Sequence, residues 1–248
     1  MHPFFAESVE ERWLMRAKRS ITKILEGRCR GAGVNYVGFI KANEAKSRGC
    51  SAEIYDPIAG RTVDVLSMGE RWLFWTLRYD KHVVEIREQQ MLHPAIVAQA
   101  AVRLGISVPT EILTTDFLVL YDDGRIVAYS IKCDRKSLNP DTRNGRKIIR
   151  RQTLEKQHWE ILGVEFQIVF TNEVNRYRAN NIQSVMTYYD PVWVQTPDQM
   201  YKFLIAHHVV ELDMSRTIEF ARIARENEDE IKKLFESEIK SRKEKQNV

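Results

Sequence analysis

Apolar positions along this chain recur in two rhythms, and the switches between them mark out its elements. Residues 7–26 place Val9, Trp13, Leu14, Ala17, Ile21, Ile24 and Leu25 at helical spacing between basic residues, which predicts an amphipathic helix. Residues 27–50 hold five of the eleven glycines and read as a basic, loop-rich segment. Glu53 to Tyr55 and Thr62 to Leu66 flank Pro57 to Gly60, which predicts a first hairpin. Ser67 then opens a helix through Glu70 to Leu77 with its aromatics inward, and His82 to Ile86 is a short β-rich run. Pro94 to Leu104 reads as a helix with proline in its first turn.

The central signal is a second hairpin at about 112–132. Asp116 heads the run Phe117 to Leu120, Lys132 ends the run from Ile126, and Asp122-Asp123-Gly124-Arg125 lies between as a turn. A polar loop (Ser137 to Gly145), a basic helix from about Arg146 to Leu162 ended by Gly163, and a buried strand from Val164 to Phe170 follow. Beyond Asn172 the pattern turns helical, over 175–189, 197–208 and a long charged helix from Ser215. We therefore expect a mixed α/β domain over 1–172 and a smaller helical C-terminal domain over 173–248.

Composition is ordinary for a chain that buries a core, with 44% hydrophobic and 29% charged residues. No apolar run approaches the ~20 residues of a membrane span, and no secretory signal is expected from the N-terminal residues. Cys29, Cys50 and Cys133 form no metal-binding or disulfide spacing, so reduced thiols and a cytoplasmic location are expected. Charge is uneven. Lys132 to Lys156 carries nine Lys/Arg against three Asp/Glu, and Arg12 to Arg30 carries seven against Glu26 alone. Such blocks suggest a phosphate-binding surface, with Arg28, Arg30, Arg135, Lys136, Arg146, Lys147, Arg150 and Arg151 as candidate DNA contacts. Solvated helix faces are the alternative.

The charged ends of the central hairpin, with Glu70 upstream, are the working parts of a metal-dependent phosphodiester hydrolase. Magnesium takes oxygen ligands, typically one or two carboxylates with water and phosphate, and Lys132 is placed to orient the attacking water. Asp116 and Lys132 meet directly only if the turn is centred on Gly124, as in a three-residue loop Asp123-Gly124-Arg125. A two-residue turn would put them on opposite faces. Structural readings remain open beside these. Ser67-Met68-Gly69-Glu70 is a capping-box pattern, and Glu155 reads first as a surface glutamate, with a metal-site role second. Cys133 reads as structural, and His207-His208 lacks partners for a metal.

The order of acidic helix, Asp-bearing strand, x-x-Lys strand and helix resembles the PD-(D/E)xK restriction-endonuclease-like core. More specifically the chain resembles the TnsA family of transposase endonuclease subunits over roughly residues 20–175. The resemblance rests on Glu26-Gly27-Arg28 with Gly31, Gly33 and Tyr36, on Leu66-Ser67 with Glu70, and on Ile86-Arg87-Glu88-Gln89. Thr115 to Val119, Ile131-Lys132, Leu154-Glu155 with Trp159, and Phe170-Thr171 complete it.

That resemblance implies a mixed sheet flanked by helices and a Mg²⁺-dependent endonuclease, with Mn²⁺ able to substitute. Glu70 and Asp116 take the metal-ligand positions, Lys132 the catalytic lysine, and the Ile131 carbonyl a further ligand. The family cuts the 5′ strand at transposon ends beside a DDE-type transposase (TnsB-like) and an AAA+ regulator (TnsC-like), the latter contacted through the C-terminal domain. One departure is Ser130, where Asp, Glu or Gln is usual; Ser130 through water, or Glu155, is the expected compensation. A stand-alone repair or restriction nuclease and a catalytically weak DNA-binding adaptor are the competing readings.

Overall fold

A computed structural model describes residues 20–45, 50–192 and 194–206. Residues 20–25 are helical (α1), the end of the helix expected over 7–26; its earlier part lies outside the described residues. Two short 3-10 turns, Gly33–Asn35 and Ala42–Glu44, punctuate the loop-rich segment that follows.

The first hairpin forms as expected, with β1 (Ala52–Asp56) antiparallel to β2 (Arg61–Val65). Asp56 shapes its turn by accepting the Ile58 and Ala59 N–H groups at 3.0 and 3.3 Å. Helix α2 (Met68–Tyr79) follows, capped by the Ser67 side chain, which accepts the Glu70 N–H at 3.2 Å. Its Leu73, Phe74, Trp75 and Leu77 are buried.

The main sheet has four strands in the order β3 (Val83–Met91), β4 (Thr114–Tyr121), β5 (Ile126–Lys132) and β6 (Glu165–Phe170). The first three pair antiparallel, and β6 pairs parallel to β5 after a crossover through α4 (Arg143–Ile161). Helix α3 (Pro94–Arg103) lies between β3 and β4 in the chain. Alternation along the strands separates two apolar faces. Phe117, Val119, Val127 and Tyr129 join the α2 core, whereas Leu118, Ala128 and Phe166 pack with Trp159 of α4. This is the mixed sheet flanked by helices that a restriction-endonuclease-like core requires.

Two expectations change. β3 runs to Met91 rather than stopping near Ile86, because its polar residues find buried partners; Glu88 accepts both Nη atoms of Arg61 at 2.8 and 2.6 Å. β6 is an edge strand with Glu165 and Gln167 exposed, not a fully buried one. Past residue 172 the described chain packs onto the core around α2. Helices α5 (Arg176–Thr187) and α6 (Pro197–Ala206) add Ile182, Val185, Met186, Met200 and Leu204 to the cluster around α2. Hydrogen bonds from Arg71 to Gln183 and from Trp72 to Asn180, each 3.1 Å, tie α5 to α2. The helix expected from Ser215 and the pair His207-His208 lie outside the described residues. Among the described residues no helix is long and apolar enough to cross a membrane.

Candidate active site

The β4–β5 turn is a three-residue loop, but it is Asp122-Asp123-Gly124, one position earlier than expected. Tyr121 N–H donates to the Arg125 carbonyl at 2.9 Å, and Gly124 adopts φ +83°, the left-handed end of such a loop. The ladder pairs Phe117 with Tyr129 and Leu118 with Ala128, which sets Asp116 level with Ser130 instead of Lys132. Because the slip is even in its effect on pairing, Asp116 and Lys132 stay within reach, with Nζ 3.9 Å from Oδ2.

Glu70, Asp116, Ile131 and Lys132 line one cavity of about 1150 Å³. Asp116 Oδ2 accepts the Ile131 N–H at 2.6 Å and the Ser130 hydroxyl at 3.3 Å. Lys132 Nζ donates to the Ser130 hydroxyl at 2.9 Å and to the Ile131 carbonyl at 2.7 Å. Glu70 makes capping contacts and also lines the cavity. It accepts from Leu66 N–H (2.8 Å), Ser67 O–H (3.0 Å) and Gln89 Nε2 (3.2 Å), so it secures the helix start while facing the cavity with Asp116. Burial first, then the charge of Asp116, push the Glu70 carboxyl above the usual range.

Glu155 is not the surface glutamate expected. It is 1% exposed, beneath the cavity floor, where Oε1 accepts from Thr115 Oγ1 at 2.6 Å and Oε2 from Gln152 at 3.1 Å. Its Oε2 also lies 3.5 Å from the Ser130 hydroxyl. Burial and then Asp116 push this carboxyl up as well. Asp116 therefore acts electrostatically on both Glu70 and Glu155, with Lys132 Nζ 3.9 Å from Asp116 Oδ2, and with Lys132 and Arg151 acting on Glu155 as countercharges. The donor set, two cavity-lining carboxylates with the Ile131 carbonyl, fits a hard divalent cation that takes its remaining ligands from water and phosphate. Among the described residues no group of three His, Cys, Asp or Glu forms a protein-only cage.

The basic residues divide. Arg28 is 7% exposed and forks onto Glu44 at 2.7 and 2.8 Å, with Glu26 at 2.9 Å on Nε. Its charge is used to build the cavity wall, which removes it from the expected phosphate contacts; Arg28 and Lys23 hold the Glu44 carboxyl down at about 2. Arg135 pairs with Glu173 at 2.6 Å, Arg146 with the Pro140 and Asp141 carbonyls, and Arg150 with the Ser107 carbonyl. Arg30, Lys136 and Lys147 are exposed, and Arg151 lines the cavity itself. All three cysteines are free; Cys133 is exposed at the cavity wall, not a buried structural residue.

Gly69, next to Glu70, marks how closely α2 approaches β5. A Cβ there would overlap Thr171 Oγ1 and lie 3.0 Å from Ile131 Cγ2 and 3.2 Å from Thr171 Cβ. Gly69→Ala is expected to shift Glu70 against Asp116 and to lower any cleavage by about 10²-fold, the scale of an ångström-sized misplacement. The thermal midpoint should move little, since alanine favours the helix by up to ~1 kcal/mol. Unchanged cleavage in this variant would show that the close approach is irrelevant to the site.

Two features had no sequence signal. Gln89 served only as part of a family pattern, yet it touches Glu70. The Trp159–Thr115–Glu155 chain, with Trp159 Nε1 donating to Thr115 Oγ1 at 2.7 Å, depends on strand and helix meeting.

Residues 80–171 match a family model described as TnsA-like endonuclease N terminal. The chain is also similar to Transposon Tn7 transposition protein TnsA of Escherichia coli, with 31% identity over 166 residues. That match covers 65% of this chain and 59% of that protein, less than two thirds of its length. Asp116, Lys132 and Glu155 fall inside the family match, and Glu70 precedes it. Over β4, β5 and α4, then, the similarity and the geometry coincide, and residues 80–171 are similar to a TnsA-like endonuclease N-terminal domain.

Proposed function

We propose that this chain is the endonuclease subunit of a heteromeric transposase, hydrolysing the 5′ strand at transposon ends with Mg²⁺, or Mn²⁺ in its place. The observation that carries the reading is the meeting of Glu70, from α2, with Asp116 and Lys132, from strands inside the TnsA-like match, at one cavity. Glu70 and Asp116 would hold the ion, with the Ile131 carbonyl beside them. Bound there, the ion supplies charge neutralisation at the phosphoryl group and a more acidic water.

The chain's own side chains do the rest. Asp116, anchored by the Ile131 N–H, fixes the end of β5 on which Lys132 stands. Lys132 Nζ turns from the Ile131 carbonyl toward a phosphate oxygen and the attacking water, adding positive charge where negative charge develops. Ser130 and Glu155 sit too deep to touch substrate; Ser130 keeps Lys132 and Asp116 in register, and Glu155 holds Ser130 from below. Arg151 at the cavity and exposed Lys147, Lys136 and Arg30 would position the duplex through phosphates without reading sequence. A DDE-type transposase supplies the 3′-strand chemistry, an AAA+ regulator docks on the C-terminal region over 173–248, and the assembly works in the bacterial cytoplasm.

The test combines the protein with the neighbouring transposase and end-labelled transposon DNA. Nicks on the 5′ strand that need Mg²⁺ and vanish in Asp116→Ala are expected. Equal cleavage of naked DNA without the transposase would favour a stand-alone nuclease, and transposition products unaffected by the mutation would favour an adaptor.

A further inference from the structure

Gln89 lies inside strand β3, yet its φ is +46°, a left-handed conformation that side chains other than glycine rarely adopt. Ladder pairs Glu88–Phe117 and Gln90–Thr115 flank it, and Gln89 itself, level with Asp116, is left without one. Its carbonyl accepts instead from Phe39 N–H at 3.1 Å and from the Cys29 thiol at 3.5 Å. Such strain persists only where the surroundings enforce it, and it clusters at functional sites.

What the distortion achieves is visible in the side chain, which is 2% exposed and borders the candidate active-site cavity. Gln89 Nε2 donates to Glu70 Oε2 at 3.2 Å, and its Oε1 accepts from Thr114 Oγ1 at 3.2 Å. The Glu70 carboxylate fixes the sense of the amide, because the reverse orientation would set two oxygens against each other; the Thr114 hydroxyl then donates to the amide oxygen. With Leu66 N–H also on Oε2, that oxygen has both lone pairs engaged, whereas Oε1 receives the Ser67 hydroxyl alone. One lone pair of Oε1 is thereby left for a cation.

We infer that Gln89 is a positioning residue, held in a strained backbone so that its amide locks Glu70 with Oε1 presented to a divalent ion. This rests on the endonuclease reading, which supplies the ion. The experiment uses the full chain and Mn²⁺ alone as probe, titrated by calorimetry, alongside cleavage of transposon-end DNA in the presence of the transposase as a function of Mn²⁺ and thermal melting without metal. Gln89→Met, similar in length but without a donor, is expected to weaken Mn²⁺ binding at least 10-fold. The half-saturating Mn²⁺ for cleavage should rise in parallel while kcat at saturation changes less. Gln89→Gly, which accepts the left-handed backbone, should weaken Mn²⁺ binding equally and covers the case in which methionine does not fold. A role limited to strand shape would lower the melting temperature of Gln89→Met and leave Mn²⁺ affinity within 2-fold of wild type, which overturns the inference. Wild-type protein that neither binds Mn²⁺ nor cleaves overturns the endonuclease reading itself, and this inference with it.

Discussion

Replacing Asp116 by Ala is expected to reduce strand cleavage at least about 10³-fold, equivalent to ~4 kcal/mol of barrier. Two losses combine. One, on the proposed reading, is an anionic oxygen that would hold the metal ion neutralising the phosphoryl charge. The other is the anchor of the β5 terminus, since Oδ2 holds the Ile131 N–H at 2.6 Å. Leaving that N–H unpaired costs stability by about 1–3 kcal/mol if water does not reach it. Asp116→Asn separates the effects, because its amide oxygen can still accept the N–H while the negative charge is gone. Single-turnover cleavage should fall nearly as far in Asn as in Ala, with melting close to wild type. Lys132→Ala is expected to fall comparably with little change in stability, because it removes the ammonium group 3.9 Å from Asp116 Oδ2. Asparagine cleaving within 10-fold of wild type would remove Asp116 from the chemistry and leave it a strand anchor.

The largest effect on folding is expected at a pair remote from the cavity. Asp56 and Arg78 are 0% and 1% exposed, with Nη2 2.6 Å from Oδ2. Asp56 ends β1 and Arg78 belongs to the last turn of α2, so the pair joins the first hairpin to the helix that carries Glu70. Burial first, and then the charge of Arg61, drive the Arg78 pKa down, with Asp56 opposing them. Asp56→Ala strands a buried guanidinium and also removes the acceptor of the hairpin turn. Its expected cost is about 3–5 kcal/mol, the range for a broken buried pair. Asp56→Leu combined with Arg78→Met leaves no orphaned charge. It should be more stable than Asp56→Ala by at least ~2 kcal/mol, although the turn contacts are missing in both. Denaturant unfolding of the full chain measures these differences. A cost below ~1 kcal/mol for Asp56→Ala would mean that water reaches the guanidinium and the pair contributes nothing beyond the turn.

The candidate site was partly legible before the fold. Glu70, Asp116 and Lys132 stand out because chemistry restricts the residues that hold an ion and a water, and because charge at the end of an apolar strand is conspicuous. The turn position was misplaced by one residue. Both loops satisfy Asp-Asp-Gly-Arg locally, and only the pairing of Phe117 with Tyr129 selects between them. Arg28 looked like a phosphate contact because a basic cluster in a glycine-rich segment does not reveal that Glu44, sixteen residues away, will take its charge.

By itself the sequence determined the succession of elements from the first hairpin to α6. Their causes are local: Ser67 can cap a helix, Gly124 can turn left-handed, Pro94 can begin a helix, and period-2 or period-3.6 burial follows from backbone geometry. Tertiary structure decided what depends on partners far along the chain. It extended β3 through a polar run by giving Glu88 to Arg61, drew Glu155 beneath Ser130, and bent the backbone at Gln89 to reach Glu70. It also merged α5 and α6 with the core around α2. A polar side chain can be buried only where its partner is brought to it, and no local pattern records where that partner will be.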